Sequence, residues 1–312
     1  MIRFDRVLAN SASARVNYRI SSGTVVDVVF KKVRVDPVER TVTLALDAPL
    51  QRNTLYRLRV RAADNPGDRL ASFDGTPFEG EYVQDFVTKA EKDPADTEDV
   101  DLDPIPADPC AVQAIFRKSC TGADCHGSPS AGVTTARAMG LSLDSDLGLQ
   151  QTAIGHASVL VQRAANPGSG GAAPLAGLGF PRGLPIVDRR EGGSTSSFLL
   201  YKLLLAGPAE LGQFGEEAVL GAPLPKGLAA PDGRVADLWR RTIADLSVLV
   251  PGSGMPPSAP LRLEEIRAVR RWIDGAGAVQ PTEACTGDAG TDATDAEAGA
   301  SDGSVDSLVD GG

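Results

Sequence analysis

The sequence contains few histidine, methionine, cysteine and aromatic residues, and it lacks both long apolar runs and clusters of basic residues. Histidine occurs twice, methionine three times and cysteine four times in 312 residues, and aromatic residues make up 5%. No run of about 20 apolar residues is present, so we predict no transmembrane segment. Basic residues form no cluster of the kind that a nucleic-acid interface needs, so we expect no nucleic-acid partner.

The negative charge lies in two segments. The formal net charge is −10, of which residues 281–312 carry −8 and residues 91–108 carry −7, so the rest of the chain is at +5. Residues 91–108 contain prolines among like charges, which predicts an extended acidic linker. Residues 281–312 consist largely of Asp, Ala and Gly without periodic apolar positions, which predicts a disordered tail.

Residues 1–90 are predicted to form an all-β domain. Apolar and polar residues alternate along 42–46 and 56–62, as in strands with one face in a core and one in water. We expect further strands near residues 2–8, 16–20, 24–30 and 82–88, and a turn at 36–40. The second alternating run contains an arginine stripe, interpreted as a solvated strand face: Arg57, Arg59 and Arg61. Several short strands with such turns predict a β-sandwich.

This region resembles bacterial Ig-like domains of the SbsA type. The matching passages are Val35-Asp-Pro-Val-Glu-Arg-Thr-Val-Thr-Leu, Leu50, Leu55-Tyr-Arg-Leu-Arg-Val, Asp74-Gly75 and Phe86-Val-Thr88. The resemblance implies a spacer in an exported surface protein, with no chemistry of its own. The chain opens on strand-like sequence and has no signal-peptide core. We therefore expect the true start to lie upstream, with an export signal that could provide a lipid anchor.

Residues 109–280 are predicted to be mainly helical. Pro109 suits a first helical position, and Val112, Ile115 and Phe116 fall on one helix face. Further helices are predicted at 149–161, 194–205, 237–250 and 263–274. Glycine- and proline-rich stretches between them predict long loops.

A cysteine-histidine motif follows the first of these helices: Cys120-Thr-Gly-Ala-Asp-Cys125-His126. In a c-type haem site two thiols add to the haem vinyl groups, and the adjacent histidine binds the iron. The usual spacing is C-x-x-C-H, whereas four residues separate the cysteines here. The motif alone leaves two alternatives open. One is a Cys120–Cys125 disulfide beside a surface histidine, and the other is a zinc site with Cys110 as a further thiolate.

Residues 109–280 resemble planctomycete-type cytochrome c-like domains. The matching passages are Cys125-His126-Gly127, Gly140-Leu-Ser-Leu, Ser196-Ser-Phe-Leu-Leu-Tyr-Lys-Leu, Gly254-Met255-Pro256 and Ile266 with Arg271-Trp272-Ile273. The resemblance implies one haem c attached to Cys120 and Cys125, with His126 as proximal and Met255 as distal iron ligand. His156 is the rival distal ligand. The resemblance also implies a Cys110–Cys285 disulfide, because these residues flank the first and last helices, which pack together in a cytochrome c.

The predicted fold class is therefore an all-β Ig-like sandwich (1–90), an acidic linker (91–108), an all-α cytochrome c-like domain with long loops (109–280) and an acidic disordered tail (281–312). The resemblance implies an electron-transfer protein of the periplasm or outer cell envelope. It implies no catalytic residues, since a His/Met-ligated iron has no open position. The redox partner is not identified. The alternatives are a haem-free, disulfide-stapled envelope protein with a structural or interaction role, and a haem enzyme or sensor in which a small ligand replaces Met255.

Overall fold

The computed structural model describes residues 1–23, 27–90, 109–121, 126, 140–158, 184–188, 190, 192–213, 234–250, 253–257, 260–275 and 285. The predicted linker at 91–108 lies outside these residues. So does the predicted tail at 281–312, apart from Cys285.

Two antiparallel sheets occupy the first 90 residues. Their strands are β1 (Ile2–Arg3), β2 (Tyr18–Ser22), β3 (Phe30–Asp36), β4 (Thr41–Leu46), β5 (Leu55–Arg61) and β6 (Glu81–Val87). The strand order is β1-β4-β3 in one sheet and β2-β5-β6 in the other. Val35 pairs with Val42, and Tyr18 pairs with Val60. All four side chains are buried in one apolar cluster, so the two sheets share a core.

The arginine stripe of β5 faces solvent. Arg57 lies 2.7 Å from Asp85, Arg59 lies 3.8 Å from Glu81, and Arg61 lies 3.4 Å from Asp64. The six side chains are between 39% and 95% exposed. Exposed ion pairs of this kind contribute little stability, about 0–1 kcal/mol each. The stripe is a charged and solvated strand face.

Short helices make up much of the remaining described chain. They are α1 (Pro109–Cys120), α2 (Asp146–Thr152), α3 (Phe198–Ala206), α4 (Ala209–Gln213), α5 (Arg234–Leu249) and α6 (Leu263–Asp274). Helices α1 and α6 pack together, with the rings of Phe116 and Trp272 edge to face at 5.9 Å. Residues 198–205 of α3 are all buried, so this helix lies inside the structure and is surrounded by other elements.

The strand region and the helices share a hydrophobic core. Val7, Val38 and Phe73 belong to the same buried cluster as α1, α3 and α6. The ring of Phe73 lies 4.2 Å from the ring of Tyr201 in α3, measured between centroids. Residues 1–90 were predicted to be a spacer, but they form one wall of the helical core.

Polar contacts join the same two parts of the chain at the β3–β4 turn. Asp36 lies 3.3 Å from Arg270, and Glu39 lies 2.6 Å from Arg267, both arginines being in α6. Arg40 is buried, takes a left-handed backbone conformation (φ 55°) and donates to the Thr242 hydroxyl at 2.8 Å. Its guanidinium also lies 5.5 Å from the Trp239 ring centroid. The predicted turn is therefore a docking element for α5 and α6.

The predicted fold class is wrong. The described chain is a mixed α/β structure with two small sheets and a few short helices, and its C-terminal part is not an all-α cytochrome c domain. Between α2 and α3 the backbone forms isolated β-bridges, Ile154 with Val187 and Ala157 with Pro185. Apolar periodicity along the sequence predicted an all-β domain followed by a separate all-α domain, because a local pattern does not show which apolar faces pack against each other. Here the strand region buries part of its apolar surface against helices.

A disulfide closes most of the helical part into one covalent loop. Cys110 in the first turn of α1 is bonded to Cys285, which lies beyond the end of α6. The sequence separation is 175 residues, so the closed loop contains every helix from α2 to α6. A bond that closes so long a loop strongly restricts the unfolded chain.

We expect the double variant Cys110→Ser/Cys285→Ser to lose about 2–5 kcal/mol of unfolding free energy, because loop closure no longer restricts the unfolded state. Urea denaturation followed by tryptophan fluorescence measures this change. Wild-type protein with its disulfide reduced is the matched control and should unfold with the double variant. A variant midpoint equal to that of the oxidised wild type would contradict the prediction.

Among the described residues, no helix combines the length and apolar character needed to cross a bilayer.

Candidate functional site

A largely apolar pocket lies between α1, α3 and the segment 253–257. Its cavity volume is about 100 Å³, and the pocket opens to solvent. The enclosed space is therefore smaller than that of most small-molecule and cofactor sites, about 300–1,000 Å³. Its apolar walls come from α3 and three loops: Leu141, Leu143, Ile186, Phe198, Leu199, Leu203, Pro256 and Pro257.

Two residues of the cysteine-histidine motif line one side of this pocket. Cys120 is the last residue of α1 and is buried. His126 is half-buried, and its backbone N–H donates to the Cys120 carbonyl at 3.0 Å. Its own carbonyl accepts the Leu143 N–H at 2.8 Å. These backbone bonds hold the histidine next to the helix end, and both side chains reach the pocket.

Met255 lines the same pocket from a distant part of the sequence. It is half-buried, and its backbone N–H donates to the Lys202 carbonyl in α3 at 3.0 Å. The Met255–Pro256 peptide bond is cis. The structure thus brings together three of the four predicted haem-binding residues.

The remaining predicted residues fall elsewhere. Cys125 lies outside the described residues. His156 is exposed and is not among the residues that line the pocket, which leaves Met255 as the better-placed distal ligand. Trp272 packs on Phe116 and lies outside the pocket.

Lys202 is a pocket residue that sequence reasoning missed. It is only 4% exposed, although it sits in the middle of the apolar helix α3. Burial lowers the pKa of its ammonium group. Its Nζ donates to the Ser253 carbonyl and lies 5.8 Å from the Phe198 ring centroid. The available signal was one charged residue in a helix whose other eight residues are uncharged, since burying a charge is costly unless the group is well paired.

A buried carboxylate fixes the loop that supplies Ile186. Asp188 is 5% exposed. Burial opposes its ionisation, but hydrogen bonds from Arg190 and Ser196 outweigh this effect and lower the pKa of Asp188. The neighbouring Ser197 hydroxyl accepts the Asp188 N–H at 2.8 Å. Ser197 precedes α3 but makes no side-chain capping bond, and it instead ties the start of the helix to this loop.

The chemistry of the pocket side chains, though not the enclosed volume, suits a covalently attached haem. The cysteine thiol can form a thioether, and imidazole with thioether sulfur is an established axial pair for haem iron. The apolar walls suit the porphyrin faces. Zinc fits less well, because Cys110 is bonded to Cys285 and is not available as a thiolate. Within the described parts of the chain, no three His, Cys, Asp or Glu side chains converge as a metal cluster.

Comparison with known proteins identifies no relative of this chain. No protein-family model matches the chain, and neither a curated protein nor a solved structure does. The function must therefore be argued from the pocket.

Proposed function

We propose that the protein is an exported mono-haem c-type cytochrome that transfers electrons. In this proposal Cys120 and Cys125 hold the haem covalently, and His126 and Met255 are its axial ligands. The observation that carries the proposal is the shared pocket of Cys120, His126 and Met255, which come from opposite ends of the helical region. An all-α fold is not required, because the same chemistry can be supported by unrelated folds.

Each residue has a definite role in the proposed site. Cys120 supplies a thioether from the rigid end of α1, so the attachment point is fixed by a helix. His126 is held within one hydrogen bond of Cys120, which keeps its imidazole near that attachment point. Met255 supplies a soft sulfur ligand, and a His/Met pair raises the reduction potential of haem iron.

The rest of the pocket controls the surroundings of the iron. Leucine, isoleucine and phenylalanine side chains line much of the pocket, and a less polar environment disfavours the more highly charged ferric state. Haem, when bound, supplies the one-electron chemistry. His126 and Met255 would then both bind the iron and leave it no open position, so we infer electron transfer and no substrate chemistry. The partner that gives or takes the electron is a redox protein whose identity stays open.

The disulfide supports the exported location. Disulfides persist mainly in oxidising compartments, and the Cys110–Cys285 bond closes the region that contains the pocket. Covalent haem attachment takes place on the same side of the membrane. We therefore place the protein in the periplasm or outer cell envelope.

The decisive experiment is expression of the full chain behind an export signal, together with a cytochrome c maturation system. We expect a sharp α-band in the reduced-minus-oxidised spectrum and a haem-positive band on a denaturing gel. The control is the same chain expressed without the maturation system, which should give neither signal. No covalent haem in a folded, oxidised protein would overturn the proposal and leave the haem-free envelope protein.

A further inference from the structure

Lys202 occupies a position where a charged side chain is costly. Every other residue of α3 from Phe198 to Leu205 is uncharged and buried, and Lys202 is buried with them. An ammonium group in such surroundings needs hydrogen-bond acceptors to offset the loss of hydration. One acceptor is the Ser253 carbonyl.

Lys202 holds the Met255 segment at two points. Its side-chain Nζ donates to the carbonyl of Ser253, and its backbone carbonyl accepts the N–H of Met255 at 3.0 Å. These partners lie on either side of Gly254. Lys202 therefore forms hydrogen bonds to both neighbours of Gly254, one through its side chain and one through its backbone.

Gly254 completes the attachment by lying directly on the end of α3. A Cβ atom at this position would lie 2.4 Å from the backbone nitrogen of Ala206 and 2.5 Å from its Cα. Contacts this short with backbone atoms cannot be relieved by turning a side chain. Only glycine lets the segment approach the helix so closely.

We propose that Lys202 is the positioning residue that fixes Met255 in the pocket, with Gly254 providing the close approach. The meaning of Met255 as an iron ligand rests on the proposed function, but the attachment of its segment to α3 does not. Without Lys202 the segment loses a charge-assisted hydrogen bond, and Met255 is released toward solvent.

The first test is the rate at which hydrogen peroxide oxidises Met255, measured by peptide mass spectrometry on the full chain made without haem. Methionine oxidation follows exposure, and Met1, which is 87% exposed, is the internal reference. In Lys202→Met the population with a detached segment should rise about tenfold to a hundredfold. The Met255 rate should therefore move several-fold toward that of Met1, while the Met1 rate stays the same.

Three further variants make this result specific. Lys202→Arg keeps a cationic donor and should restore at least part of the protection. Lys31→Met, the same change at an exposed strand position, should leave the Met255 rate unchanged. Gly254→Ala should push the segment away from α3 and expose Met255 while Lys202 stays intact. This variant therefore tests the proposal even if Lys202→Met does not fold. Unchanged Met255 oxidation in Lys202→Met or in Gly254→Ala would overturn the proposal.

The second test uses the haem-loaded protein. Lys202→Leu, which adds no thioether to the pocket, should keep the haem-positive gel band, since Cys120 and His126 are untouched, but should lose the spectral signature of methionine ligation and lower the reduction potential. A variant with an unchanged potential would overturn the role of Lys202. If the wild type carries no haem, the oxidation test still decides how Met255 is held, so the two proposals fail separately.

Discussion

Replacing Phe73 by alanine is expected to destabilise the helical part of the protein, although Phe73 lies in the strand region. Its ring is 4% exposed and packs at 4.2 Å on Tyr201, which is fully buried in α3. Loss of a buried phenylalanine ring costs about 3–5 kcal/mol, because both apolar burial and packing are lost. The cavity would open at the contact between the sheets and α3, the helix that lines the pocket.

The two tryptophans make this prediction easy to measure. Trp239 and Trp272 lie in α5 and α6, so tryptophan fluorescence reports on the helical part during urea unfolding. A midpoint shift in Phe73→Ala shows that the strand region stabilises the helices. Phe86→Ala is the control, because it removes a half-buried ring that packs on Tyr56 away from the helices, and we expect a smaller loss. An independent spacer would instead leave the tryptophan transition of Phe73→Ala unchanged.

Elements with strong local periodicity could be predicted from sequence. The helix predicted at 263–274 is α6, and its apolar residues Ile266, Val269 and Ile273 are buried. In α1 the predicted face of Val112, Ile115 and Phe116 is buried as well. These predictions succeeded because an amphipathic helix encodes its buried face within two or three turns. The strand at 42–46 and the turn before it could also be predicted, because the alternation of apolar and polar residues and the effect of proline on the backbone are local signals.

Two elements were misplaced where competing local signals were present. A strand was predicted near residues 24–30, of which 24–26 lie outside the described part of the chain. The strand β3 runs from Phe30 to Asp36, where lysines and an arginine on the outer face obscured the apolar alternation. A helix was predicted at 149–161, whereas α2 ends at Thr152 and Gly155 takes a left-handed conformation (φ 71°). Beyond it the chain forms a bridge to Val187, a partner that no local window contains.

Only part of the candidate site could be predicted from sequence. Cys120 and His126 were predicted because they belong to one short sequence motif, and Met255 was predicted from a family resemblance. The contributions of α3 and of the loop at Ile186 were missed, because these residues look like ordinary core until the fold places them around one space. The contacts of Asp36 and Arg40 with the helices were missed too, since a turn sequence predicts its own shape and not what docks on it.

If the proposed haem site is correct, replacing His126 by alanine is expected to abolish its methionine-histidine iron ligation, whereas the same change at His156 should have no effect. The chain has only these two histidines, which makes them a matched pair. Backbone hydrogen bonds hold both segments, through Cys120 and Leu143 for His126 and through Ile186 for His156, and alanine preserves them. The variants therefore differ in whether an imidazole is lost from the pocket or from an exposed position.

The measurement is haem content per chain in the co-expressed protein, together with the spectrum of the reduced form. We expect His126→Ala to lose essentially all normally ligated haem, because the iron has no proximal nitrogen, and Cys120→Ala to lose one of the two thioether attachments. His156→Ala should match the wild type in haem content, spectrum and potential. Loss of the methionine-ligated spectrum in His156→Ala alone would contradict the ligand assignment. Equal haem content and spectra in all four proteins would mean that any haem present binds outside the pocket, because the attachment chemistry requires the groups at positions 120 and 126.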